Sequence, residues 1–291
     1  MEPIVDKDPH LNYEINTVFK KVLNVFLIPV LNAIPSSFQK YIKKTHKSAE
    51  EIIEHATTHQ ALEVLYRKGD EKYSKSLFHR FFHTVWFNTN NSKAVRNRLR
   101  LTKREIKRCI DTLITQRKDI HILSIASGSA RSIIEVLADI RNYNGVLVSV
   151  TFLDKDPVAL EYSKNLAKEL DTVFDLTWTN STVNNFFNNL TAAQKFNIIE
   201  MVGLVDYFDN NKTTLIFSSI FDHLDVNGFL VTANINHNSE QKFVTDAVGW
   251  KMKYRSAEYL AVLITKAGFN SDKMDIYYEP LKIHCVITAS K

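Results

Sequence analysis

The residues best placed to do chemistry lie between His121 and Asp154. An apolar run, His121 to Ala126, breaks at Ser127-Gly128-Ser129-Ala130. A helical pattern follows (Ile133, Ile134, Val136, Leu137, Ile140), and a second apolar run, Val146 to Leu153, ends on Asp154. Strand, small-residue turn, helix, strand and acid are the parts that hold a nucleotide-type ligand across the carboxyl ends of a parallel sheet. Small residues let the backbone approach the ligand, and a carboxylate closing the next strand accepts a pair of ribose hydroxyls. Of the G-x-G-x-x-G pattern that cradles a pyrophosphate, only Gly128 is present. A ligand without phosphate needs fewer glycines, because no anion has to sit on the helix N-terminus.

Other candidates extend this site. In Asp154-Lys155-Asp156-Pro157, Asp154 reads as the ligand acid and Asp156 as the cap of a helix that Pro157 opens. The later run Asn197 to Val202 ends on Gly203, which permits close approach. Met201 or Val202 is placed to pack on a ligand, and Glu200 to point a polar group at the sheet's end. Two histidine pairs at helical spacing, His55/His59 and His79/His83, have no third ligand nearby and read as ordinary core or surface residues, so no metal is expected. No Ser-His-Asp order, CxxC pair or P-loop is evident.

The elements that position these residues fall into two parts. Residues 1–118 read as helical, with segments near 14–33, 49–68, 71–87 and 92–117, split at Pro35-Ser36-Ser37, Gly69-Asp70 and Asn88 to Asn91. From 119 to 291 the pattern alternates. Strands are expected at 121–126, 147–153, 174–178, 197–202, 228–235, 274–280 and 283–289, and helices near 130–141, 157–169, 191–194, 212–224 and 255–267. The last two strands flank Pro280 and read as an antiparallel hairpin at the sheet edge. The fold class is therefore α/β, a Rossmann-like parallel sheet with an antiparallel C-terminal hairpin, preceded by an all-helical domain.

At this point the chain resembles the class I methyltransferases that use S-adenosylmethionine (SAM). Ser124 to Ala130 stands at their glycine-rich motif and Asp154 at their ribose acid, over about 170 residues. Ser124 occupies the place of a customary acid, and Ala126 and Ala130 those of customary glycines. The resemblance implies SAM as cofactor, with S-adenosylhomocysteine as product. Ala126, Ser127, Gly128, Ser129, Asp154, Lys155, Met201, Val202 and Gly203 are then cofactor contacts, and Asn180 or Ser181 sits on the adenine edge. The segments 126–131, 153–157, 203–208, 234–238 and 250–256 are similar to a bacterial subgroup that makes 3-hydroxypalmitic acid methyl ester. That likeness implies a fatty or otherwise apolar small-molecule acceptor, methylated on a carboxylate. Tyr254 and Arg255 are the candidates to orient the acid, and His237 is the base if a hydroxyl or amine is methylated.

Composition narrows the remaining choices. With 45% hydrophobic residues the chain can bury a full core. Two cysteines, Cys109 and Cys285, make no disulfide framework, which favours a reducing compartment, the cytoplasm; the acidic start has no cleavable-signal pattern. The most apolar stretch, Val22 to Ile34, is too short to span a bilayer and reads as a buried helix, ahead of one touching a membrane surface or an acyl chain. Much of the net charge of +5 sits in Lys93 to Arg108. A solvated helix face is the first reading of that stripe, a phosphate-gripping face the second, and one or two arginines turned inward onto an anionic substrate the third. The second would leave a nucleic-acid or protein methyltransferase, working through 96–108, as the alternative. Against nucleic-acid amino methylation stands Gly203-Leu204-Val205-Asp206, where an Asn/Asp-Pro-Pro-aromatic motif is usual. A non-catalytic SAM-binding or interaction protein on the same fold is the other alternative. The oligomeric state is not legible in the sequence.

Overall fold

The computed structural model describes residues 2–45, 47–68, 77–143, 145–170 and 172–291. Eight strands form one sheet: β1 (Ile4–Val5), β2 (Asp119–Ile125), β3 (Leu147–Asp154), β4 (Asp175–Asn180), β5 (Phe196–Val202), β6 (Leu224–Ile235), β7 (Met274–Tyr278) and β8 (His284–Ser290). Their spatial order is β1-β7-β8-β6-β5-β2-β3-β4. Only β8 runs against its neighbours, pairing antiparallel with both β6 and β7. The order reverses at β2, which pairs parallel with β3 on one side and β5 on the other. The carboxyl ends of these three strands therefore diverge into a crevice, where open α/β sheets take their ligands.

Helices cover both faces. One face is closed by α6 (Asn90–Leu113), α7 (Arg131–Ile140) and α8 (Pro157–Ala167), whose Leu101, Ile106, Ile110, Ile133, Leu137 and Leu160 pack on Ile120, Ile122 and Phe152 of the sheet. The other is closed by α9 (Val183–Asn189), α10 (Asn210–His223) and α11 (Ala257–Lys266), through Phe187, Phe217, Ile220, Leu260 and Ile264. Strands buried on both faces read as nearly continuous apolar runs, which is why β2 and β5 stand out in the sequence. The Asp156 carboxylate accepts from the Val158 amide at 2.9 Å and starts α8 with Pro157 in its first turn.

Several expectations shift. The C-terminal hairpin is not the sheet's edge, because the N-terminal strand β1 adds itself parallel to β7. The first part of the chain is thus not purely helical, and α6 buries its apolar face in the sheet's own core. The expected helix at 49–68 is two, α3 (Lys47–Glu54) and α4 (His59–Tyr66), separated by a turn in which Thr57 takes φ +75°. The short helix expected at 191–194 lies earlier, as α9; Thr182 caps it and draws its start forward. Of 71–87, the described part is α5 (Leu77–Phe87); Gly69-Asp70, residues 71–76 and the side chains of Phe78, His79 and Phe82 lie outside the described residues.

The largest correction concerns Val22 to Ile34. It falls in α1 (Val18–Asn32), and the only buried side chain of that helix is the polar Asn24, which donates to Asn90 at 3.1 Å. Most of its apolar residues, from Val18 to Phe26 and Val30, face outward, while Leu27, Ile28 and Leu31 are part-buried. A short helix, α2 (Gln39–Lys43), follows. No single helix among the described residues is long and apolar enough to cross a membrane.

Candidate active site

The turn between β2 and α7 has the conformation its small residues suggest. Ala126, Gly128 and Ala130 all have positive φ, +51°, +55° and +53°. Two alanines therefore sit where glycine would be unstrained, at a cost of about 1 kcal/mol each. The Asp154 carboxylate braces the turn, accepting from the Gly128 amide at 2.8 Å and, through its other oxygen, from the Asp156 amide at 2.9 Å. The short side chains leave the crevice open along the turn.

The cleft at the carboxyl ends of β2, β3 and β5 holds about 2120 Å³ of empty space, counted to its open mouth. Of the expected contacts, Ala126, Ser127, Gly128, Ser129, Asp154, Lys155, Ser181, Val202 and Gly203 line it. Two do not. Asn180 turns its amide to the Asp154 carbonyl at 3.1 Å, and Met201 is wholly buried beneath the sheet. The cleft is polar where a nucleoside-type ligand would lie. Ser127 Oγ, Thr102 Oγ1, His59 Nδ1 and Arg98 Nε are all buried without a hydrogen-bond partner. Unsatisfied buried polar atoms are costly, and these four are available to the polar atoms of a ligand in the cleft.

Ser124 is joined to the same site. It is the register partner of Glu200 across the β2–β5 pair, and its hydroxyl donates to the Glu200 carboxylate at 2.6 Å. Glu200 lines the cleft, and burial pushes its carboxyl up to about 7. The acid absent from position 124 is thereby supplied one strand over.

The helical part roofs the cleft. His59 of α4 lies over the turn, 3.4 Å from where a Cβ on Gly128 would stand. Glu63, one turn on, pairs with Arg131 at 2.5 Å, the first residue of α7, and accepts from the Tyr162 hydroxyl at 2.9 Å. Despite its burial, these bonds hold the Glu63 carboxyl below its ordinary range.

A second, apolar cavity of about 700 Å³, counted likewise to its mouth, adjoins the cleft and shares Leu62, Arg98, Gly203 and Tyr207 with it. Its walls are Ile52, Leu65, Trp86, Phe243, Val248 and Trp250. Where the two spaces meet stands the Arg98 guanidinium, 5% exposed. Gly203 stands beside it at φ +89°, where a Cβ would lie in ordinary contact, 3.7 Å from its Nη1; the backbone conformation is what calls for glycine there. Burial opposes the guanidinium's charge, yet Tyr66 and Asp206 keep it protonated. No carboxylate among the described residues forms an ion pair with it. His284, with both ring nitrogens buried and unpartnered, is nearby; burial and the Arg98 charge hold it well below the ordinary histidine range, and therefore neutral. Asp206, which accepts from the Ile235 amide at 3.0 Å, is pushed up by burial to about 6.

The expected catalytic residues lie elsewhere. Arg255 is turned inward onto the backbone, donating to the carbonyls of Val205 and Phe208 and to the side chains of Asn210 and Asn234. Tyr254 is half-buried with its hydroxyl unpartnered and its ring stacked 5.9 Å from that of His237, which is exposed and bonds Gln241. None of the three lines the cleft or the cavity. They lie on loops near the last parallel strand, whereas Arg98 stands in the sequence as one of eight cations in the stripe from Lys93 to Arg108. In that stripe Arg96, Arg100, Lys103, Arg104, Lys107 and Arg108 are engaged with Glu14, Glu135, Asp6, Glu105 and Asp111. They build a neutralised face, and Arg98 alone turns into the site. Among the described residues no group of three His, Cys, Asp or Glu is placed to hold a metal.

Comparison with known proteins agrees with this geometry. A family model described as "Putative methyltransferase" matches residues 56–291, and the chain belongs to that family. No curated protein matches the sequence. Among solved structures, a possible exported protein from Bordetella parapertussis is 16% identical, with a TM-score of 0.65 over 81% of this chain and 80% of its own. Magnesium protoporphyrin IX methyltransferase (ChlM) from Synechocystis PCC 6803 with bound S-adenosylhomocysteine is 10% identical, at TM-score 0.53 over 76% and 96%. The CurJ carbon methyltransferase is 12% identical, at TM-score 0.54 over 88% and 69%. These likenesses are of fold. The chain is a methyltransferase with a Rossmann-like sheet.

Proposed function

We propose that this methyltransferase binds SAM in the polar cleft and methylates the carboxylate of an apolar acid whose tail lies in the adjoining cavity. One observation carries the acceptor: a buried guanidinium stands where the apolar cavity meets the cleft, and no carboxylate among the described residues meets it at ion-pair distance. Asp206 and Glu200 act on it from further off. A charge desolvated in this way calls for an anion, and a planar guanidinium suits a carboxylate best. The likeness to the bacterial subgroup that makes 3-hydroxypalmitic acid methyl ester supports a fatty acceptor.

The residues present suit the cofactor. Asp154 retains acceptor capacity for a ribose hydroxyl pair, Ser127 offers an unpartnered hydroxyl, and Glu200 offers the carboxylate that a methionine ammonium requires. When bound, SAM supplies a sulfonium-activated methyl group; its transfer to a carboxylate oxygen breaks the carbon–sulfur bond and yields an ester and S-adenosylhomocysteine. The protein has no proton to move in that reaction, because the acceptor is already ionised at neutral pH. Its contribution is to hold the acid on Arg98, seat the tail among Trp86, Phe243 and Trp250, and exclude water. A second reading, a hydroxyl acceptor, draws on His284, an unpartnered neutral imidazole lining the cavity. It is the weaker one, because burial and the Arg98 charge lower the basicity of that imidazole.

The test is transfer of label from methyl-labelled SAM to a panel of fatty acids and matched fatty alcohols, for wild type and Arg98→Met. We expect acids to be methylated, and Arg98→Met to lose at least a hundredfold in kcat/KM while binding S-adenosylhomocysteine within threefold of wild type. Preferential methylation of alcohols, or full activity of Arg98→Met, would overturn the carboxylate reading.

A further inference from the structure

The outward face of α1 has no partner within the described chain. Phe19 is 77% exposed and Phe26 70%, and Val18, Val22, Val25 and Val30 are more than half exposed. At 100° per residue these six side chains fall within one arc of less than half the helix circumference, while Asn24 marks the opposite, attached side. Lys21 borders the arc, whereas Lys20 falls on the attached side near Asn24 and is part-buried. The layer continues into α2 with exposed Phe38 and Tyr41. Monomeric surfaces rarely leave so many large apolar side chains contiguous and uncovered.

Charge identifies what covers them. Residues 15–47 contain Lys20, Lys21, Lys40, Lys43, Lys44 and Lys47 and no Asp or Glu. These six lysines exceed the net +5 of the whole chain, so the positive charge of the protein is concentrated around its most apolar exposed surface. Lys43 and Lys47 also reach Glu54 and Glu51 on α3, at 3.3 and 3.8 Å. Lys21, Lys40 and Lys44 are exposed. An apolar arc bordered by lysines is the pattern of a helix lying in the interface of an anionic bilayer. A second copy of the chain fits poorly, because a two-fold contact would bring like-charged borders together.

We infer that α1, aided by the lysines of α2, docks this protein on the surface of an anionic membrane, with Phe19, Val22 and Phe26 entering the acyl boundary. The same layer is fastened to the wall of the apolar cavity. Asn32 at the end of α1 accepts from the Phe243 amide at 2.9 Å, and Gln39 of α2 donates to the Val248 carbonyl at 3.0 Å. Phe243 and Val248 line the cavity, so docking by α1 sets that cavity beside the lipid. The docking itself does not depend on which acceptor is methylated.

The experiment is flotation of the full chain with vesicles of phosphatidylcholine alone and of phosphatidylcholine with 30% phosphatidylglycerol, at low and at 0.5 M salt. The wild type and the variants Phe19→Glu/Phe26→Glu and Lys21→Glu/Lys40→Glu are compared, with unfolding midpoint and light-scattering mass measured in parallel. We expect wild type to float with the anionic vesicles, at least tenfold less with neutral ones, and to be released by salt. Both variants should lose at least tenfold in partition at an unchanged midpoint, since the substituted side chains are exposed. Wild type that stays unbound, that floats equally with neutral vesicles, or that floats no better than Phe19→Glu/Phe26→Glu overturns the inference. So does a wild-type dimer that the phenylalanine variant dissociates without any vesicle binding, because the face would then be self-complementary.

Discussion

Ser124 and Glu200 face each other across the β2–β5 pair, and the serine hydroxyl donates to the carboxylate at 2.6 Å. A parallel strand pair keeps the residue at the end of one strand beside the residue at the end of the next, so an acid can change strands without leaving the crevice. Here the strand before the turn carries Ser124, and the acid facing the crevice stands on its neighbour. Ser124 keeps it oriented.

Glu200 should therefore govern cofactor affinity in a pH-dependent way. Its carboxyl is raised by burial from 4.5 to about 7. Ionisation above that value creates the partner for an ammonium, so SAM affinity should rise as pH passes from 6 to 8. Glu200→Gln should bind at least tenfold more weakly and show no such rise. Stability should move the opposite way, because folding favours the protonated carboxyl and that contribution is lost as pH rises through 4.5 to about 7. Calorimetric titration and unfolding midpoints at four pH values check both signs.

Asp154 has two duties, bracing the Gly128 amide and facing the cleft. Asp154→Ala should weaken SAM binding by about 10- to 100-fold, the size of a lost charge-assisted pair of hydrogen bonds (about 1.5–3 kcal/mol). Calorimetry beside wild type gives the value. Unaltered affinity would remove the ribose contact from this residue.

Ala126 holds a left-handed backbone at φ +51° and is not part of the core. Relief of that conformation by Ala126→Gly outweighs the added freedom of the unfolded chain, so stability should rise by about 0.5 kcal/mol. Chemical denaturation resolves a change of that size. Ala130→Gly is a poorer test, because Ala130 is buried in the core and its methyl group would be lost.

Arg96 is 4% exposed and depends on Glu14, which it meets at 2.7 and 2.8 Å. Burial opposes the Glu14 charge, but Arg96 with Lys68 and Arg100 holds its carboxyl down to about 2. Stability from this cluster is present above pH 4.5 and lost as pH falls toward 2. Glu14→Gln should destabilise by about 3 kcal/mol at neutral pH, leaving a buried cation without its anion, and should flatten the acid limb of the stability profile. Urea unfolding from pH 3 to 7 measures both.

Arg255 ties the loop after β5 to β6 through four acceptors, and it is buried there at the expense of its charge. Arg255→Lys cannot reach them all and should lower stability by about 2 kcal/mol, while kcat/KM measured well below the unfolding midpoint stays within threefold of wild type. A hundredfold loss of activity in a folded protein would return Arg255 to the reacting groups.

What the sequence determined by itself is the part of the molecule whose signals are local. The apolar run before Ser127, the small-residue turn, the helix after it and the acid at Asp154 are contiguous, and periodicity with turn chemistry suffices to order them. The cap at Asp156 acts within two residues. Tertiary structure decided what depends on residues far apart. Glu200 became an acid of the turn's site by strand register, at a separation of 76 positions from Ser124. Arg98 turned inward while its neighbours in the stripe met Glu14, Asp6 and Asp275, because a helix divides consecutive cations among different faces and only packing assigns the faces. The same holds for α1. Its composition reads as core, but burial depends on what stands opposite a surface, and here nothing in the described chain does.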